Sequence, residues 1–153
     1  SIGVLHHTHD CIGGIKKITE FCSESSFLFI GLYHKYGRKP FLDFVKDMEN
    51  LSDDEKFKKY KKLHKLTSET HLKSWFRDQV LIPHETQHTY EEISKILISK
   101  KFKILSTSIN KFQSYESDKE IIDLEKQLYK IGEEHLKNSN YYPGFFIVLA
   151  QKQ

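Results

Sequence analysis

Near the middle of the chain, His84-Glu85-Thr86-Gln87-His88 matches the H-E-x-x-H pattern, in which two histidines one turn apart hold zinc and the glutamate activates a water molecule. That chemistry needs all five residues on a helix. Pro83 stands directly before His84, and Thr89 with Glu92 forms a capping box that starts a helix only beyond the motif, so the motif is expected in a loop. A chain with nine His meets the pattern by chance easily, and a zinc hydrolase using His84, Glu85 and His88 ranks third among the readings below. The run His6-His7-Thr8-His9-Asp10 also offers metal-ligand types. Adjacent side chains of an extended segment point to opposite sides, so these do not converge on one ion, and no metal site is expected.

Position along the chain says more. Ile2 to Leu5 is short, branched and apolar, which suits the end of a buried strand, and the histidine run follows it. Phe27 to Tyr33 is apolar on both alternating faces and leads into His34-Lys35-Tyr36-Gly37-Arg38. In open α/β sheets ligands sit beyond the carboxyl ends of strands. Two neighbouring strand ends would thus present His, Tyr and Arg to one crevice. Arg38 and Arg77 are the only arginines among 24 basic residues, and a bidentate fork is not replaceable by lysine.

The elements that must position these residues read as strand, helix, strand, helical block, helix, strand, helix, strand. Asp10 caps a helix carrying Ile12, Ile15, Ile18 and Cys22, and Ser23 to Ser26 is a turn. A helix starting at Pro40 shows Phe41, Phe44, Val45 and Met48 on one side, and Ser52 with Glu55 makes a capping box for the next, bearing Phe57, Tyr60 and Leu63. Leu72, Trp75 and Phe76 are expected in the core of that block, and Arg77 beside Asp78 as a surface pair. Thr89 starts a helix with Ile93, Ile96 and Leu97 inward, Phe102 to Ile109 is a strand, a long helix runs from about Asp118 to Leu136, and Phe145 to Leu149 is a second strand apolar on both faces. Such strands need cover above and below. The stub at Ile2 leaves the sheet with a hydrophobic edge, which suggests that the chain starts in mid-domain.

Composition bounds the class. The 153 residues suffice for one domain, and a mean hydropathy of −0.56 with no long apolar run argues against a membrane span. Two cysteines, Cys11 and Cys22, make no disulfide framework and read as small core residues, so a reducing, cytoplasmic setting is the expectation. The net charge of +3 gives no strong nucleic-acid signal. The densest basic stretch, Lys56 to Lys65, follows Asp53, Asp54 and Glu55 and reads as a solvated helix face.

With these residues in place, the chain resembles the second half of class I S-adenosylmethionine-dependent methyltransferases. There a fourth strand ends in a V-L-H-H-type segment, as Val4-Leu5-His6-His7 does, and a fifth carries an apolar run into a substrate loop. Gly31-Leu32-Tyr33-His34-Lys35-Tyr36-Gly37-Arg38 is similar to the G-L-Y-N-x-x-G-R of bacterial members, and Pro83 to Thr89 resembles a recurring segment of that subgroup. In that fold the sixth and seventh strands are antiparallel, the seventh lying between the fifth and sixth, and Phe102 to Ile109 and Tyr142 to Ala150 fit those roles. The resemblance covers nearly the whole chain as one partial domain. Residues 1–39 hold the fourth-strand end, helix and fifth strand; residues 40–82 are a helical insertion; residues 83–153 hold a helix, the sixth strand, a helix and the seventh strand.

The resemblance implies an α/β fold, the C-terminal part of a Rossmann-like methyltransferase sheet with an antiparallel last strand. It implies S-adenosylmethionine as cofactor and a small-molecule methyl acceptor. It places Leu5, His6 and Thr8 at the cofactor, His6 and His7 as candidate bases, and Tyr33, His34, Arg38, His84, Glu85 and His88 around the substrate, with Arg38 a clamp for a carboxylate or phosphate. One of the two histidines could instead only fix the loop. Two departures stand out. Ser23-Glu24-Ser25-Ser26 replaces the usual Pro-Gly-Gly turn, and the Gly-rich loop and the acid that hold the cofactor's methionine part and ribose are absent, none of the seven glycines forming a G-x-G. The alternative is therefore a non-catalytic binding or interaction module derived from such a domain.

Overall fold

The computed structural model describes residues 1–65, 68–82 and 84–153. Three strands form the sheet: β1 (Phe27–Tyr33), β2 (Phe102–Thr107) and β3 (Phe145–Lys152). The last strand lies between the other two and runs antiparallel to both, so β1 and β2 run parallel without touching. The molecule is thus of the mixed α/β class, with seven α-helices among the described residues.

Register explains the core. Leu28 faces Ala150, Ile30 faces Val148 and Leu32 faces Phe146, and all six side chains are buried on one face of the sheet. Helix α1 (Cys11–Glu20) covers that face with Ile15, its first turn held by Asp10, whose carboxylate accepts from the Gly13 amide at 2.7 Å. After α2 (Lys35–Lys46), α3 (Asp53–Lys61) and α4 (Glu69–Gln79) comes α5 (Tyr90–Ser99), which adds Tyr90, Ile93 and Leu97, and α6 (Asp118–Glu125) adds Ile121. A second apolar cluster gathers Phe41 of α2, Tyr60 and Leu63 of α3 and its following turn, and Leu72 and Phe76 of α4. Helix α7 (Leu128–Lys137) packs along α2. Among the described residues no helix is long and apolar enough to cross a membrane.

Several expectations are corrected. Residues Ile2 to Leu5 do not form a strand end: Ile2 makes a single parallel bridge to Gly31, and Leu5–His7 is a 3-10 turn. The second helix begins at Lys35, not Pro40, because His34 caps it; Pro40 sits inside, with a helical φ but no N–H to donate to the Tyr36 carbonyl. Helix 118–136 is two helices, broken at Lys126 and Gln127, so that α6 reaches α5 while α7 follows α2. β2 ends at Thr107, and Ser108–Asn110 is a 3-10 turn. Trp75 is 46% exposed rather than core, since α4 turns Leu72 and Phe76 inward instead. The second face is covered only in part: Phe27 is 64% exposed and Phe29 38%, whereas Tyr33 at the other end of β1 is buried. The Ser52–Glu55 capping box forms, whereas at Thr89 only the hydroxyl half forms, the Glu92 carboxylate turning to His88.

One buried pair fixes where the helices start. The His34 Nδ1 accepts from the Tyr36 and Gly37 amides at 3.1 and 3.3 Å, so its proton is on Nε2, which donates to Glu125 Oε2 at 2.8 Å. The same carboxylate accepts from the Tyr90 amide at 2.6 Å, capping α5 as an anion at a helix N-terminus. Nothing in the residue types around Asp118 to Leu136 announces this role. Glu125→Ala orphans His34 and the amino end of α5 together and is expected to cost about 3 kcal/mol in urea unfolding. A loss of a few tenths would mean that the pair is incidental.

Candidate functional site

Three pieces of chain meet at the carboxyl end of β1: the turn Leu5–His7, Tyr33 as the last strand residue, and the extended segment from His84 to His88. The segment acts as a strap. Its Thr86 amide donates to the His6 carbonyl at 2.7 Å, its His88 amide to the Tyr33 carbonyl at 2.9 Å, and its His88 carbonyl accepts from the Lys35 amide at 2.8 Å. Side chains cross the gap in both directions. His7 Nδ1–H donates to the His84 carbonyl at 3.1 Å, and His84 Nε2–H donates to the Thr8 carbonyl at 3.2 Å. Both rings therefore have an assigned tautomer, and both keep the other nitrogen as an acceptor.

The expected site residues divide into two groups. His6, His7 and Tyr33 come together as a small aromatic cluster: the His6 ring centroid lies 4.2 Å from both the His7 and Tyr33 rings and 6.0 Å from Phe145. The others face the framework. Leu5 is in the core, and the Thr8 hydroxyl donates back to the Leu5 carbonyl at 2.7 Å. His34 is the cap described above. His88 Nδ1–H donates to Glu92 Oε2 at 2.8 Å, and its Nε2 meets the Thr86 hydroxyl at 2.9 Å.

Arg38 is the clearest departure from expectation. Its side chain has no exposure, and all five N–H groups are engaged inside the protein. Nε and Nη2 form a fork on Glu85 at 3.1 and 2.8 Å, Nη1 donates to Gln79 Oε1 at 3.0 Å and the Pro143 carbonyl at 3.3 Å, and Nη2 also reaches the Gln79 carbonyl at 3.4 Å. The guanidinium lies over the Tyr33 ring at 3.8 Å. No donor is left for a substrate carboxylate or phosphate, so Arg38 holds the strap through Glu85, which together with His88 and Lys35 lines a shallow depression on the strap's outer side. Gln79 completes the arrangement, its Oε1 also accepting from the Tyr33 and Tyr141 hydroxyls at 2.9 and 2.6 Å. Gln79, Tyr141 and Phe145 carry no motif that could have marked them in advance.

The zinc reading fails on geometry. The five residues of the motif are not helical, and Glu85, His84 and His88 are each fixed by different partners. Among the described residues no group of three or more His, Cys, Asp or Glu is placed to hold a metal ion. Arg77 and Asp78 do not pair: Asp78 accepts from Gln79 instead. Cys11 is buried in the core and Cys22 half-buried just past α1.

The two adjacent histidines differ in electrostatics. His6 is buried, its Nδ1 has no hydrogen-bond partner, and burial, reinforced by the neighbouring His7 and Arg38 charges, lowers its pKa to about 3. It stays neutral at physiological pH. His7 is half-buried, with its Nδ1 fixed and its Nε2 lone pair unengaged by the protein. No protein-family model matches the chain, and no curated protein matches it.

The His6 shift has a sign. The unfolded chain takes up this proton near pH 6.5 and the folded one only near 3, so acid favours unfolding. Stability is expected to be full above pH 6.5 and to fall by up to about 1.4 kcal/mol per pH unit below it, read as the urea midpoint against pH. Burial lowers the His64 pKa as well and adds to the same trend. His6→Phe should flatten the slope; an unchanged slope would assign it elsewhere.

Proposed function

We propose that this chain forms the acceptor side of a class I S-adenosylmethionine-dependent methyltransferase acting on a small molecule. The observation that carries the reading is the order of the strands around the site. The final strand is antiparallel and central, Ile2 pairs parallel with Gly31 of β1, and the His6-His7 turn therefore sits at a carboxyl end beside Tyr33. The central antiparallel last strand supports the reading; the fourth-strand end that the resemblance also implies is reduced to the single bridge at Ile2.

Methyl transfer is an in-line displacement, so a protein contributes alignment and, for an O–H or N–H nucleophile, removal of one proton. S-adenosylmethionine supplies a methyl carbon made electrophilic by its sulfonium. His7 suits proton removal: the His84 carbonyl holds its Nδ1–H and so directs the basic Nε2 lone pair away from the strap. His6 is neutral and buried, so it serves as wall and hydrogen-bonding partner, with Tyr33 and Phe145 giving the crevice an apolar, water-excluding side. The cofactor is not met by these residues. The unpartnered Nδ1 of His6 is buried from solvent and offers no open contact, Thr8 is engaged by Leu5, and the sequence shows no Gly-rich loop for the methionine part. The proposal therefore gives this chain the acceptor side alone.

A non-catalytic binding module is the second reading, favoured by that missing loop. Calorimetric titration of the 153-residue chain with S-adenosylmethionine should show no micromolar binding; a saturable micromolar isotherm would sink the restriction to the acceptor side. In the complete protein, His7→Gln should lower kcat for transfer of a radiolabelled methyl group by about a hundredfold, with the far-ultraviolet spectrum unchanged. Undiminished turnover in that variant removes His7 from the reaction, and ligand binding without any methyl transfer by the wild-type protein selects the module.

A further inference from the structure

The charge of this protein is not spread evenly. Residues 52–80 carry eight basic and five acidic side chains, so the net +3 of the whole chain is that of this block alone. Within it the signs separate along α3, with Asp53, Asp54 and Glu55 in the first turn and the lysines beyond. Glu69 takes up Lys61 and Lys73, at 3.5 and 2.8 Å. Lys58, Lys59, Lys62 and Lys65 are exposed and, among the described residues, have no carboxylate partner within 4.0 Å. Lys58 and Lys62 stand one helical turn apart.

Beside this basic end lies the sole tryptophan. Trp75 is 46% exposed, and its ring centroid is 5.8 Å from that of His64, in the turn that follows α3. Arg77, two positions on in the same helix, is likewise without a carboxylate partner among the described residues, and with Thr70, Lys73, Ser74 and Asp78 it borders a shallow depression that does not include Trp75. We propose that this helical block docks single-stranded nucleic acid, its phosphates on the unpaired lysines and one base stacked on Trp75. A membrane fits less well. Tyr60, Leu63, Leu72 and Phe76 are all buried in the block's own core, so among the described residues α3 and α4 keep no apolar face to enter a bilayer. The docking does not depend on methyl transfer.

The single tryptophan makes the test direct. Titrating the chain with an oligouridylate should quench Trp75 emission to saturation, with log K falling against log salt with a slope of about −3 for four phosphate contacts. Lys58→Gln together with Lys62→Gln should weaken binding of a labelled oligouridylate about tenfold at low salt, and Trp75→Ala about tenfold by the same anisotropy measurement. Both variants alter exposed side chains. No quenching, or inorganic polyphosphate binding that matches the oligouridylate and is lost equally in Trp75→Ala, overturns the proposal. So does tighter binding to phosphatidylserine vesicles with a blue shift of the emission, which would make the surface a membrane contact.

Discussion

Arg38 carries a full positive charge into a place that water does not reach, and an unpaired charge there would cost several kcal/mol. The protein meets that constraint with parts from four separate stretches of chain: Glu85 of the strap, Gln79 at the end of α4, the Pro143 carbonyl before β3, and the faces of Tyr33 and Phe41. Each is held in return. Glu85 cannot move without freeing Arg38, so the strap stays across the histidine turn; Gln79 cannot move without freeing two tyrosine hydroxyls. The space next to Arg38 is closed in the same spirit by Gly144, which takes φ +60° and would place a side-chain carbon 2.2 Å from the Arg38 amide.

What could be read in advance was local. Asp10 and Ser52 cap helices because a short oxygen before a periodic apolar run has one good use, and the strand at Phe27 to Tyr33 follows from its unbroken apolar residues. The failures all concern side chains whose partners are far away in sequence. The arginine looked like a substrate clamp because its carboxylate lies 47 residues on. His34 looked like a lining residue because nothing nearby shows that its ring caps its own helix and meets Glu125, 91 residues away. The helix expected from Asp118 to Leu136 broke for a like reason: periodicity cannot say that one half must reach α5 and the other α2. Thr89 and Glu92 satisfied the pattern of a capping box, yet His88 offered the carboxylate a better partner.

The histidines show how one residue type takes several jobs. His34 is a buried cap, His88 a bridge between Thr86 and Glu92, and His84 gives its ring to one carbonyl and its own carbonyl to another ring. His6 gives up its basicity to burial. His7 and His84 each have one ring nitrogen fixed and the other unengaged by the protein, whereas the His6 ring is enclosed by His7, Tyr33 and Phe145.

Among the described residues the buried apolar side chains form two separate clusters. One lies between the sheet and α1, α5 and α6, the other among α2, α3 and α4, and the ties between them include the Arg38 guanidinium, stacked on both Phe41 and Tyr33, and the His34–Glu125 pair. Part of what holds the two together is thus electrostatic. Apolar cores weaken on cooling because their stabilisation comes from water, with a large heat-capacity change, whereas a buried fork of charge-assisted hydrogen bonds contributes little to that change. Cooling therefore weakens the apolar clusters more than it weakens the buried fork between Arg38 and Glu85.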